Sequence, residues 1–254
     1  MMQHNPFSLE DKTILVTGAS SGIGRSIAVE CSKMGAKIVL FGRNIERLEE
    51  TLSKMSGRDH IIAQCDLTDY DAMSSVVKKL PYLDGVVHNA GMGDRTPCKM
   101  IKSERMELVM KTNFEAPVML QKALIREKKI NHSASIVFIS SRAPFAPVNG
   151  NAIYSASKGA INAYAKVLGL EMSPQKVRVN CVCPAMILTE LAKKDFEITN
   201  ADYHEDEKRY PLKRYGNPED VAYLVIYLLS DASSWMTGSS IDITGGGEFT
   251  LKGS

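Results

Sequence analysis

Short runs of apolar and β-branched residues alternate along this chain with stretches whose apolar positions recur every three or four residues. The runs are Thr13–Thr17, Lys37–Phe41, Ile61–Cys65, Gly85–His88, Ser135–Ser140, Arg178–Val182 and Ser240–Ile243. Most are nearly continuous in apolar character, as parallel strands covered on both faces must be. Between them, Asn44–Met55 carries Ile45, Leu48, Leu52 and Met55 on one stripe, with Glu46, Glu49 and Glu50 early, and reads as a helix. Asn217-Pro218-Glu219-Asp220 is a helix start: a capping Asn, a Pro at the first helical position, then two acids. Ser103–Lys129 is helical in character but contains Pro117, which predicts a break or kink. The alternation predicts an α/β chain: a doubly wound, seven-stranded parallel sheet with helices on both faces and right-handed crossovers.

Neither linker, low-complexity tract nor internal repeat divides the chain, so one domain is expected over 1–254. The exception to the alternation is Leu188–Gly216, rich in charges and aromatics, which reads as an active-site lid. Its charges, Lys193, Lys194, Asp195, Asp202, Glu205, Asp206 and Glu207, are expected to face solvent. With 31 basic and 29 acidic residues, the net charge of +2 offers no electrostatic reason for binding nucleic acid or an anionic membrane. Five cysteines, at 31, 65, 98, 181 and 183, lack metal-ligand spacing, and alternation sends Cys181 and Cys183 to one face of a strand. They read as core residues in a reducing compartment, with no metal implied. No secretory or membrane-spanning apolar segment is apparent, and a soluble cytoplasmic protein is expected.

Thr17-Gly18-Ala19-Ser20-Ser21-Gly22-Ile23-Gly24 follows the first strand and opens a helix. Glycine permits a tight strand-to-helix turn and lets the backbone approach a pyrophosphate at the helix N-terminus, while Ser20 and Ser21 add hydroxyl donors. The alternative is an ordinary glycine-rich turn. At the end of the second strand, Phe41-Gly42-Arg43-Asn44 has no acid to repel a 2′-phosphate, and the Arg43 fork can pair with one, which favours NADP(H). Asp66, after the third strand, reads either as an acceptor for an adenine amino group or as a turn former.

Tyr154 and Lys158 are four apart at the start of an apolar-striped helix, and so share a face. Around them stand Asn89-Ala90-Gly91, Asn113, Ser141 thirteen residues before Tyr154, Pro184 to Thr189, Pro211 to Ala222 and Thr237 to Gly246. With the glycine loop, this ordered set resembles the short-chain dehydrogenase/reductase family in its compact branch, almost from end to end. The resemblance implies a Rossmann-type fold. It also implies transfer of a hydride between NADP(H) and a carbonyl or secondary alcohol, with Asn113, Ser141, Tyr154 and Lys158 as the catalytic set. Gly18, Ser20, Ser21, Gly22, Ile23, Gly24, Arg43, Asp66, Leu67, Asn89, Ala90, Gly91, Tyr154, Lys158, Pro184, Ile187 and Thr189 would then line the cofactor site. Asn89 is also expected to join two strands, and His88, on the opposite side, to be buried. A homotetramer is implied as well, packed through the Tyr154 helix and the Ser103–Lys129 segment.

The implied chemistry is physically coherent. A free tyrosine has a pKa near 10, and lowering it by about two units takes roughly 2.7 kcal/mol in favour of the phenolate. The Lys158 ammonium is expected to supply this and to hold the nicotinamide ribose, with Ser141 on the substrate oxygen and Asn113 supporting a water that links Lys158 to solvent. One departure is Ala185, where the family has glycine after Pro184; it is tolerable if the backbone there has negative φ. Met92, Phe145 and Met186, with the rest of Arg142–Val148, suggest an apolar, adaptable pocket and a hydrophobic ketone. Within the same class the rival is a 3-oxoacyl-[acyl carrier protein] reductase, although Asn131-His132-Ser133 and Ser173-Pro174-Gln175-Lys176 offer little docking charge. Arg95, Lys99, Lys102 and Arg105 could compensate. A non-catalytic NADP(H)-binding regulator is the rival from another class, opposed by the complete catalytic set.

Overall fold

The computed structural model describes residues 5–190, 192 and 203–247. Seven strands, β1 (Thr13–Thr17), β2 (Lys37–Gly42), β3 (Ile61–Gln64), β4 (Leu83–His88), β5 (Ile130–Ile139), β6 (Arg178–Pro184) and β7 (Ser240–Ile243), form one sheet in the order β3-β2-β1-β4-β5-β6-β7. All six pairings are parallel. The order reverses between β1 and β4, so the crevice beyond their carboxyl ends is where a ligand belongs in a doubly wound sheet.

Two buried clusters explain why the strands are apolar on both faces. One face is covered by α1 (Gly22–Lys33), α2 (Ile45–Leu52) and α8 (Pro218–Leu229), through Ile27, Leu48 and Val225 among others. The other is covered by α3 (Tyr70–Lys79), α5 (Ala116–Arg126) and α6 (Ala152–Met172), through Val77, Leu124 and Ile161. Asn44 caps α2 by accepting from the Arg47 amide at 2.8 Å. Asn217 and Asp220 form a capping box on α8. A short α7 (Tyr203–Glu207) lies in the expected lid. Among the described residues, no helix is long and apolar enough to cross a membrane.

One strand boundary is corrected, and the irregularity expected at Pro117 takes a definite form. β5 starts at Ile130 rather than at Ser135, passing through Ser133 at φ 61° and a register shift against β4. The helix containing Pro117 does not break there. α4 (Ser103–Met110) runs through a π turn, Lys111–Glu115, into α5, whose first turn holds the proline. The widened turn takes up the extra residue and the missing N–H without interrupting the helix.

Candidate active site

The glycine turn joins β1 to α1. Gly18 and Gly22 have φ of 64° and 51°, a region open to glycine. Gly24 is required for a different reason: a Cβ there would collide with the Gly18 carbonyl and the Asn89 amide. Ser21, the N-cap of α1, makes no side-chain capping bond, which leaves the first-turn N–H groups available to an anion. Ile23 packs against the core beneath, and the Ser20 carbonyl accepts from Arg25 Nη2 at 2.7 Å. These features fit a pyrophosphate. Thr189 stands opposite, its Cγ2 3.3 Å from where a Gly22 Cβ would lie.

Asn89 ties β4 to this turn. Its Nδ2 donates to the Thr17 and Gly18 carbonyls at 3.0 and 3.4 Å, while the amides of Asn89 and Ala90 donate to Thr17 Oγ1 at 2.9 and 3.0 Å. The expected joining of two strands is present, and Thr17 is a structural partner that sequence reading missed. His88 is buried as expected, stacked on Phe138 with Nε2 donating to Gln121 Oε1 at 2.9 Å. At the outer edge, Arg43 is 78% exposed and lies 3.4 Å from Asp66 Oδ2. Asp66 Oδ1 accepts from the Thr68 amide and hydroxyl at 2.8 and 2.7 Å, so the turn-forming role is realised. Leu67 packs partly against the core.

The second half of the site comes from the ends of β4 and β5, the π turn and α6. Asn113 accepts from the Met92 amide at 2.8 Å and donates to the Met92 carbonyl and to Ser157 Oγ at 2.9 and 3.1 Å. It thereby staples the loop after β4 to α6. Gly91 fills the gap between: a Cβ there would lie 3.1 Å from Asn113 Oδ1 and 3.5 Å from Lys158 Nζ. Ser141 accepts from the Ala143 amide at 3.1 Å, and its hydroxyl lies near enough to the Tyr154 phenol to favour the ionised form. Lys158 is buried, its Nζ 5.8 Å from the centre of the Tyr154 ring. Asn113, Ser141, Tyr154 and Lys158 are thus brought together from three separate elements, beside the glycine turn.

The electrostatics correct one expectation. Burial pushes the Tyr154 phenol above its ordinary value, only partly opposed by the Ser141 hydrogen bond. Burial also pulls Lys158 down to about 8, against the opposing influence of Cys181 and Cys183. The expected lowering of the tyrosine is therefore absent. One of the ammonium's three N–H groups donates to the Ile139 carbonyl at 2.8 Å, and the nitrogen lies 5.8 Å from the centre of the Tyr154 ring.

At the end of β6, Ala185 is not among the residues of positive φ, and its amide donates to the Ile243 carbonyl at 3.0 Å, so the family glycine is not needed there. Ile187 follows Pro184 and Met186, and bridges to Gly216 in parallel. The two ends of the expected lid are thereby fastened together. Of its charges, Lys193, Lys194, Asp195 and Asp202 lie outside the described residues, whereas Glu205 pairs with Lys208 at the surface. Met92 and Met186 are partly buried and Phe145 is 54% exposed. Two ion pairs beside the substrate side, Asp94–Arg105 and Arg142–Asp242, both at 2.7 Å, were not anticipated, because each joins residues distant in the chain.

The model of the short chain dehydrogenase family matches residues 12–200. A tropinone reductase homolog of Arabidopsis thaliana is 34% identical over 97% of this chain and 95% of its own length. The 3-oxoacyl-[acyl-carrier-protein] reductase of Rickettsia felis is 33% identical over 94% of this chain and 97% of its own. A solved structure from Beutenbergia cavernae, provisionally assigned as an NAD(P) dependent gluconate 5-dehydrogenase and holding NADP at low occupancy, superposes with a TM-score of 0.84. It is 29% identical and covers 96% of this chain and 99% of that one. On these matches the chain belongs to the short-chain dehydrogenase/reductase family, oxidoreductases that act on alcohol and carbonyl groups with a nicotinamide cofactor.

Proposed function

We propose that this protein is an NADP(H)-dependent reductase of a hydrophobic ketone, with Tyr154 as proton donor. The observation that carries the reading is the Lys158 ammonium 5.8 Å from the centre of the Tyr154 ring, with the Ser141 hydroxyl beside the phenol. A bound nicotinamide supplies the hydride, or takes it up in the reverse direction. Tyr154 gives its phenolic proton to the carbonyl oxygen as charge develops there, and Ser141 donates a hydrogen bond to the same oxygen. A phenol held protonated by burial suits the role of proton donor in the reductive direction. The Lys158 charge then stabilises the phenolate left behind. Asn113, held between the Met92 backbone and Ser157, would support proton return from solvent.

Gly18, Ser20, Ser21, Gly22, Ile23 and Gly24 would hold the pyrophosphate. Arg43 would pair with the 2′-phosphate, and Asp66, Leu67, Asn89, Ala90, Gly91, Pro184, Ile187 and Thr189 would line the rest of the cofactor site. Substrate would lie against Met92, Phe145 and Met186, under a lid from about 188 to 216. Five free cysteines, four of them buried, support a reducing compartment such as the cytoplasm. Exposed Val167 and Leu170 on α6, with Met106 and Leu108 on α4, support assembly into a tetramer through those helices.

The 33% identity to a 3-oxoacyl-[acyl-carrier-protein] reductase favours that activity as a second reading. Arg105, one of the four basic residues available for carrier docking, is already engaged by buried Asp94. NADPH oxidation is to be followed with a panel of hydrophobic ketones and β-ketoacyl thioesters. Turnover of a ketone, lost in Tyr154→Phe with NADPH binding retained, is the expected result. Preference for the thioester selects the second reading. NADPH binding without any turnover would leave a cofactor-binding regulator.

A further inference from the structure

We propose that Arg142 is a positioning residue that ties the turn carrying Ser141 to the last strand through Asp242, and so holds the Ser141 hydroxyl against Tyr154. The inference rests on the catalytic reading of Ser141 given above. Ser141 follows the end of β5, where the chain leaves the sheet, so regular strand pairing does not by itself fix its side chain. The next residues form a single tight turn, in which the amides of Phe145 and Ala146 both donate to the Arg142 carbonyl at 2.9 Å.

Arg142 anchors that turn on three sides. Its amide donates to the Pro184 carbonyl at 2.9 Å, which fastens it to the end of β6. Its guanidinium pairs with Asp242 Oδ2 at 2.7 Å. The same guanidinium lies over the Phe145 ring, 5.2 Å from the centroid. Asp242 is a rigid anchor, because it sits within β7 opposite Cys183 in the β6 ladder. The Arg142 side chain is only 15% exposed, whereas Asp242 is 40% exposed, so the guanidinium end of the pair is the less screened one. Ser155 Oγ, on α6, donates to the Ala143 carbonyl at 3.1 Å and steadies the turn from the tyrosine side. Without the guanidinium clamp, the turn would keep this contact and lose its link to β7. Shifts of about an ångström at a reacting group can cost on the order of a hundredfold in rate.

Arg142→Met and Asp242→Asn are the variants to compare, each alone and with Ser141→Ala. The expected result is a fall of about tenfold or more in kcat with either variant, a smaller change in KM, and unchanged NADPH binding by fluorescence titration. On the Ser141→Ala background neither should cost more than about twofold, because the clamp acts through that hydroxyl. Amide exchange at Phe145 and Ala146 should quicken in both variants, a readout independent of turnover. Full multiplicativity with Ser141→Ala, or unaltered exchange at those two amides, would overturn the clamp. Quickened exchange in the variants, together with a wild-type protein that turns over no carbonyl, would retain the clamp and reject the catalytic reading instead. Should Arg142→Met fail to fold, Asp242→Asn and Arg142→Lys, which keeps the charge without the planar fork, carry the same comparison.

Discussion

The Lys158 ammonium lies 5.8 Å from the centre of the Tyr154 ring, yet it gives its hydrogen bond to the carbonyl of Ile139, 2.8 Å away. The lysine is thus held behind the phenol by the backbone of β5 and not by the tyrosine it serves. Burial lowers it to about 8, so it is mainly charged at neutral pH and loses that charge just above. The value of kcat/KM for ketone reduction should be level below about pH 8 and fall above it. The free enzyme's essential groups set this profile. A profile flat to pH 10 would exclude Lys158 as the group that sustains the phenolate.

Arg43→Ala should weaken NADPH binding by about 1–3 kcal/mol, the range for a hydrogen bond to a charged group. NADH binding should change little. Equal losses for the two cofactors, measured by titration, would remove the 2′-phosphate from the account.

Acid should destabilise the fold through His88. Burial between Phe138 and Gln121 lowers its pKa to about 4, against about 6.5 when unfolded. Between these values the unfolded chain binds the extra proton, so stability falls as pH drops from about 6.5 to about 4, by about 3 kcal/mol in full. Urea unfolding across that window should show the slope in the wild type and a shallower one in His88→Asn.

Arg105→Met should destabilise the protein by about 2 kcal/mol in urea. This is less than a fully buried pair would lose, since Arg105 is 38% exposed. The Asp94 side chain is 1% exposed. Burial opposes its charge, and the hydrogen bonds from Arg105 and Thr96 hold its pKa below the ordinary value. Asp94→Asn should cost less than Arg105→Met, because the charge it leaves unpaired, Arg105, is 38% exposed, whereas Asp94 is buried. The reverse order would show that the pair does not hold the loop after β4.

Most of the architecture was legible because it depends on local rules. Strands buried on both faces must be apolar, and the bounds of β1 follow directly from that requirement. The capping residues Asn44 and Asn217 act on amides three positions away, within reach of a pattern read along the chain. Pro117 was legible only in part. Its missing N–H was evident, but whether the helix breaks or widens depends on what packs around it. Here the widened turn places Asn113 between Met92 and Ser157.

From the chain alone came the sheet, the glycine turn and the helical face shared by Tyr154 and Lys158, since periodicity and backbone sterics are properties of neighbours in sequence. Tertiary structure alone decided what those side chains face. It anchored the lysine on the Ile139 carbonyl, set Asn89 on Thr17, and joined Arg142 to Asp242 and Asp94 to Arg105. It also decided the protonation of the site, for a pKa follows burial and charged neighbours, which folding brings from distant parts of the chain.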